Sequence, residues 1–186
     1  PPTGGNLIRH FSSKNATSTA NFSSGTNSSV TWVDLQGAGN MSMTNVSFDT
    51  STKLITCASN SVLNAGNLFG GTSSATFTIE MWFNATSLGN YVHLYDGRGG
   101  SSGNAILIQL TNTGTVRFYS VSFRISGSTQ VSANTWNHVA LERVGNVNTL
   151  YLNGVSQGTY NDGGTSFVGP SNNVGRIGSD DSGSGS

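Results

Sequence analysis

Along the chain, apolar residues recur at every second position in short runs, and clusters of Gly, Asn, Ser and Asp separate those runs. No window of a dozen residues carries apolar positions at the helical period, so the pattern predicts strands rather than helices. The runs that read as strands are 7–11, 30–33, 53–58, 77–84, 91–95, 105–111, 116–120, 122–126, 136–144, 149–153 and 174–177. The clearest is Phe-Thr-Ile-Glu-Met-Trp-Phe-Asn at 77–84. Successive strand side chains point to opposite faces, so Phe77, Ile79, Met81 and Phe83 share one face, with Thr78, Glu80, Trp82 and Asn84 on the other. The first face belongs against a core. Trp82 marks the second as either partly covered or a ligand platform.

The second strong unit is a hairpin. From Trp136 to Val144, Val139 and Leu141 alternate with His138, Ala140 and Glu142. Gly-Asn-Val-Asn at 145–148 is expected to turn, and 149–153 returns. Asn153-Gly154 is a type I′ turn signal, so 155–159 is expected to fold back as a further short strand. Some eleven short strands with turns every 8–12 residues predict an all-β fold: two antiparallel sheets packed face to face as a β-sandwich.

Composition refines this picture. The 186 residues suit one all-β unit, with 1–6 read as linker, 7–178 as the sandwich and 179–186 as a Gly/Ser-rich tail. Only 34% of residues are apolar and 9% charged. Disordered chains combine low hydrophobicity with high net charge, whereas eight basic and eight acidic side chains balance here. A folded domain with long polar loops follows. Lys14 and Lys53 are the only lysines and the six arginines are scattered, so no basic surface for nucleic acid is expected. No stretch approaches the roughly 20 apolar residues of a membrane span, and Pro1 to Asn6 is not a signal peptide. Cys57 is alone, so no intrachain disulfide forms; within a strand-like run it reads as a small buried hydrophobe. The lack of paired cysteines points to a bacterial or viral source. Six Asn-x-Ser/Thr sites, at Asn15, Asn21, Asn27, Asn40, Asn45 and Asn84, are the number chance expects in so Asn- and Ser/Thr-rich a chain.

Three motifs carry a resemblance: Phe-Thr-Ile-Glu-Met-Trp-Phe at 77–83, Trp-Asn-His-Val-Ala-Leu-Glu-Arg at 136–143, and Leu-Tyr-Leu-Asn-Gly at 150–154. In order and spacing they resemble the concanavalin A-like lectin/glucanase superfamily, and within it the laminin-G-like jelly rolls of bacterial and phage surface proteins. Thr-Trp-Val-Asp-Leu-Gln-Gly at 31–37 and Asn-Val-Ser-Phe-Asp at 45–49 are similar to the opening of such domains. The resemblance spans about 7 to 178 and implies a jelly roll. One departure stands out. The family's closing strand, of Gly-x-Ile/Leu-Asp-x-Val/Leu-Arg-Ile type, is replaced by Arg-Ile-Gly-Ser-Asp-Asp-Ser-Gly-Ser-Gly-Ser at 176–186. Either the strand lies further along or another chain supplies that edge, and an open edge invites strand addition.

The resemblance includes glucanases, but glycoside hydrolysis needs two carboxylates at the reacting bond. Glu80 and Glu142 each lack an acidic neighbour two positions away on their own strand, so no enzyme is expected. His10, His93 and His138 have no Gly-x-Ser-x-Gly elbow beside them; His138 and Glu80 read as scaffold. The resemblance implies one Ca²⁺ at the sandwich rim, for which Asp96 and Asp162 are the candidate ligands, with Asp180-Asp181 a further possibility. The plainer reading, which the residues favour at each site, is that these aspartates make turns. Sugar recognition needs aromatic faces beside polar groups, and Trp82, Tyr91, Tyr95, Tyr119, Tyr151 and Tyr160 could supply them.

Two functions follow. The first is a non-catalytic module of a larger extracellular or virion surface protein that recognises a glycan or cell-surface polymer. Its ligand residues would be Tyr95, Asp96, Arg98, Asn104 and Asp162, in loops around 96–104 and 162–167. The second is a structural subunit, such as a phage decoration, fibre, tail or appendage protein. It would contact other copies or virion proteins through the open edge.

Overall fold

The computed structural model describes residues 9–68, 72–73, 76–99, 103–169 and 175–178. Its strands in chain order are β1 (Gly25–Trp32), β2 (Met41–Asp49), β3 (Leu54–Asn64), β4 (Thr72–Ser73), β5 (Phe77–Asn84), β6 (Val92–Asp96) and β7 (Leu107–Leu110). There follow β8 (Thr115–Ser120), β9 (Ser122–Gln130), β10 (Trp136–Val144), β11 (Val147–Leu152), β12 (Val155–Asn161), β13 (Phe167–Val168) and β14 (Arg176–Ile177). No helix occurs among the described residues.

The strands form an eight-stranded sheet in the order β1-β2-β3-β14-β6-β7-β8-β9, a four-stranded sheet β12-β11-β10-β5, and the pair β13-β4. Leu94, Ile108, Leu110, Val116 and Phe118 of the large sheet meet Val139, Leu141, Leu150 and Leu152 of the small one. All of these are at most 5% exposed, so the core between the layers is closed to bulk solvent. At about 25 cal/mol per Å² of apolar surface removed from water, this burial is the main force closing the sandwich. The all-β sandwich read from alternation is the fold observed.

Two strands, β5 and β10, have the bounds the sequence predicts, because both alternate without interruption. The hairpin after β10 is tighter than expected. Val144 pairs with Val147, so only Gly145 and Asn146 turn, and Val147 and Asn148 join the strand. Asn153 (φ 51°) and Gly154 (φ 79°) form the expected two-residue I′ turn between β11 and β12. β2 is absent from the predicted set. Met41, Met43, Val46 and Phe48 are its buried residues, and a bulge between Thr44 and Val46, with Asn45 at φ 54°, breaks the period of two. Of the predicted strand 7–11, residues 7 and 8 lie outside the described residues. Arg9, His10 and Phe11 form no strand; Phe11 packs on Trp32 with ring centroids 5.5 Å apart. Val174 is likewise outside the described residues, and only Arg176–Ile177 of that run pairs, between β3 and β6.

Cys57 is solvent-exposed rather than buried, a second correction. It opposes Val46 on the inward face of the large sheet, at a place the small sheet does not cover. Protein still crowds it enough to push the thiol up to about 11. The reason lies in unequal sheet widths. Val30, Met41, Met43, Val46 and Leu63, on β1–β3, form a second core cluster capped by Phe11, Phe22 and Trp32. Phe77, Ile79, Met81 and Phe83 of β5 pack instead on the main core. The large sheet therefore overhangs the β5 edge by β1, β2 and β3.

Candidate functional site

On the large sheet the inward positions belong to the core, so register fixes which side chains face outward. Ile108 opposite Phe118 points in; Gln109 opposite Arg117, and Leu107 opposite Tyr119, point out. Across β6, His93 pairs with Gln109 and Asp96 with Leu107; across β14, Arg176 pairs with Asp96. Tyr119 opposes Phe123 on β9. One continuous outer face thus carries Arg176, Asp96, His93, Gln109, Arg117, Tyr119 and Phe123.

Its centre is Arg117. The guanidinium lies 3.6 Å from the Phe123 ring centroid and 4.9 Å from that of Tyr91. Nε donates to Gln109 Oε1 at 2.7 Å. Two rings and one amide hold the plane of the guanidinium, an arrangement that combines cation–π attraction with a fixed donor direction. Its terminal nitrogens have no protein acceptor among the described residues. Burial lowers the Arg117 pKa and Tyr91 acts the other way, but an arginine so placed stays cationic. Tyr91 and Phe123 are each 44% exposed, and Tyr119 meets Phe123 edge-on at 5.3 Å. The result is an aromatic platform with a cation in its middle.

Beside it, Asp96 and Arg98 come together as the sequence reading grouped them. Arg98 Nε donates to Oδ1 at 2.9 Å, Nη2 to Oδ2 at 2.7 Å, and the Arg98 amide to Oδ1 at 3.0 Å. His93 Nδ1 stands 3.4 Å from Oδ2, an ion-pair distance rather than a formed hydrogen bond, and has no other partner among the described residues. Burial alone would raise the Asp96 pKa; Arg98 and His93 outweigh it and hold the carboxyl well below the usual range. Arg176 Nε is a further buried donor with no partner among the described residues.

The remaining predicted ligands separate. Tyr95 faces the core, 1% exposed, and burial followed by the nearby Asp96 charge raises its pKa. Asn104 sits on the connection to β7, where its carbonyl accepts from the Val168 amide. Asp162 lies in another network, where Arg143 Nε and Nη2 donate to its two oxygens at 2.7 and 3.0 Å. Asp180 and Asp181 are outside the described residues. Asp96 and Asp162 each accept two guanidinium bonds, and no group of three His, Cys, Asp or Glu side chains converges among the described residues.

Sequence reasoning named Tyr91 and Tyr119 as possible platforms but missed Gln109, Arg117 and Phe123. The available signal was parity: Gln109 is the polar member of an apolar run, and Arg117 and Tyr119 share its face once the strands are paired.

The outer face of the small sheet is plainer. Trp82, 68% exposed, lies against His138 (5.1 Å), whose Nε2 is 3.5 Å from Glu80. Glu80 and Glu142 are diagonal neighbours here, since Glu80 opposes Ala140 and Glu142 opposes Thr78. They stand on an open face. A cleft of about 2250 Å³ opens instead beneath the overhang, between β5 and residues 9–14, with Cys57 and Trp136 in its walls.

The family model of the Concanavalin A-like lectin/glucanases superfamily matches residues 58–186. Domain 4 of AbnA, a GH43 extracellular arabinanase from Geobacillus stearothermophilus solved with arabinotriose, is similar in fold. Its TM-score is 0.57 at 15% identity, over 79% of this chain and 77% of that one. A candidate carbohydrate binding protein from Bacteroides ovatus aligns at TM-score 0.49 and 19% identity over 59% of this chain, which spans only 32% of its length. The carbohydrate binding module CBM66 from Bacillus subtilis aligns at TM-score 0.44 and 14% identity, over 84% of this chain and 94% of that one. No curated protein sequence matches the chain.

Proposed function

This chain belongs to the concanavalin A-like lectin/glucanases superfamily, and on that premise we propose that it is a non-catalytic carbohydrate-binding sandwich of a larger extracellular or virion surface protein. The glycan lies on the outer face of the eight-stranded sheet. One observation carries this reading: the Arg117 guanidinium, held between Phe123 and Tyr91 by Gln109, with its terminal nitrogens open. Sugar rings present C–H faces that stack on exposed aromatics and hydroxyls that accept from fixed donors, and this face offers both. Among the described residues Arg98, Arg117 and Arg176 stand around the platform with one carboxylate, Asp96. The excess of positive charge favours glycans bearing acidic groups, which accept bidentate guanidinium bonds.

Catalysis is not part of the proposal. Among the described residues the one carboxylate beside the platform, Asp96, is committed to Arg98, and hydrolysis of a glycosidic bond needs a second.

A glycan array holding neutral and uronic-acid oligosaccharides, run with and without calcium, tests the reading. The expected result is binding of acidic glycans that is independent of calcium and falls at least tenfold in Arg117→Ala. Binding that survives Arg117→Ala unchanged, or none to any glycan, would sink it; loss on removing calcium would restore a metal role for Asp96.

A further inference from the structure

We propose that the outer face of the four-stranded sheet is a second glycan-binding surface, which takes sugars bearing a free amine. They lie on Trp82 and Trp136, beside the Glu80 and Glu142 carboxylates. This surface is on the opposite layer from the Arg117 face and stands or falls independently of it.

Register builds the platform. Trp136 opposes Asn84 and Trp82 opposes His138, so the two indoles are diagonal neighbours on adjacent strands. Such neighbours are about 7–8 Å apart, a gap that aromatic side chains span. Trp82 is 68% exposed and Trp136 49%; the tilted contact of Trp82 with His138 leaves most of its ring in water. Two tryptophans side by side in solvent are apolar surface that the fold itself does not use. Next to them, Ala140 opposes Glu80 on β5 and Tyr151 on β11, with His138 and Glu142 two residues before and after it. Four long side chains around one methyl group make a dimple, and Ala140 is its floor, only 8% exposed. His138 Nε2 stands 3.5 Å from Glu80 Oε2, and Tyr151 Oη donates to Glu142 Oε2 at 3.3 Å. Each carboxylate is thereby steadied through Oε2, with Oε1 left open.

Charge names the occupant. β5, β11 and β12 contain no lysine or arginine, and the one in β10, Arg143, is turned inward and buried. Glu80 and Glu142 therefore make this face acidic, and it repels the uronic acids that suit Arg117. A hexosamine meets each feature. Its ammonium fits over Ala140 between the two carboxylates, a charge-assisted contact. The indole faces attract the same cation, and the C–H face of the sugar stacks on Trp82 or Trp136. The described chain is interrupted elsewhere. Arg9 bonds the Ala65 carbonyl just after β3, and Gly178 bonds His93 of β6, both on the large sheet. The internal breaks flank β4 and β13, where Phe167 meets Phe77 at the other end of β5 from Trp82.

The test titrates the whole 186-residue chain with a glucosamine oligosaccharide, its N-acetylated counterpart and an oligolysine of equal charge. The indole N–H resonances of Trp82 and Trp136 should shift with the amino sugar. That of Trp32, packed against Phe11 and Phe22, should not. The N-acetylated sugar should bind about tenfold more weakly, because it loses the cation. Trp82→Ala should weaken the amino sugar about tenfold. The isosteric pair Glu80→Gln with Glu142→Gln should do the same with the fold intact, and an excess of oligouronate should not compete. The proposal falls if the N-acetylated sugar binds equally well, if oligolysine shifts the same indoles with equal affinity, or if the glutamine pair is without effect. It falls also if oligouronate displaces the amino sugar, or if neither Trp82 nor Trp136 shifts.

Discussion

Replacing Asp162 by alanine separates scaffold from ligand site. Arg143 is completely buried, donates from Nε and Nη2 to Asp162, and lies 5.5 Å from the Phe167 ring. Asn148 Nδ2 (2.8 Å) and the Gly164 amide (2.9 Å) also donate to that carboxylate. Asp162→Ala leaves a guanidinium charge without its counter-ion away from water, which costs about 3–5 kcal/mol. The network lies at the rim of the sandwich, so about 3 kcal/mol is expected, a large part of a typical 5–15 kcal/mol. With a urea slope of about 2 kcal/mol per M, the unfolding midpoint should drop by about 1.5 M. The double replacement Arg143→Met with Asp162→Ala removes both charges and should recover much of the loss; with the two single replacements it closes a cycle whose coupling is about 2 kcal/mol. Urea unfolding followed by tryptophan fluorescence reads both, and glycan affinity of the folded fraction should stay within twofold of wild type. If Asp162→Ala unfolds within about 0.5 kcal/mol of wild type, or folds well but loses glycan binding, Asp162 is a ligand residue and this reasoning is wrong.

Acid should weaken the fold along the same lines. Asp34, which accepts from the amides of His10, Gln36, Ala38 and Gly39, and Asp96 and Asp162 all have pKa values lowered below 3.8. A carboxylate depressed in the folded state stabilises above its unfolded pKa and loses that contribution as pH falls through the folded value. Urea midpoints should therefore hold from pH 8 to about 5 and fall below about 4; a midpoint unchanged at pH 2.5 would refute this. Gly175→Ala should cost about 1–3 kcal/mol, because its Cβ would run into the Gly66 carbonyl at the point where Gly175 bonds Ala65 and Gly66. Gly89→Ala, with open space around it, is the matched control and should be neutral by thermal melting.

What the sequence made legible was whatever obeys an unbroken period. β5, β10 and the Asn153-Gly154 turn follow directly from alternation and turn chemistry. β2 escaped because Asn45 bulges and switches the parity of its apolar residues. Cys57 was misplaced because alternation says which face a residue takes, not whether another layer covers that face. The candidate site was half legible for a related reason. Asp96 and Arg98 are two residues apart and could be grouped by eye, whereas Tyr91, Gln109, Arg117 and Phe123 lie on β7, β8 and β9 or just before β6. Only strand register brings them together, and no local pattern encodes that register.

The even charge balance acquires a meaning once partners are assigned. The chain has a net charge of zero, yet two of its arginines, Arg98 and Arg143, are matched to carboxylates inside the fold. Asp34 and Asp49 are taken by backbone amides and neighbouring hydroxyls rather than by cations. Cations without a carboxylate partner among the described residues are consequently left over, and their positions are not random. Arg117 and Arg176 face outward on the large sheet; Arg9, Lys14 and Lys53 line the cleft beside β5. Arg124 alone stands apart, over the Tyr160 ring. A neutral chain can therefore present a cationic outer face suited to an acidic glycan.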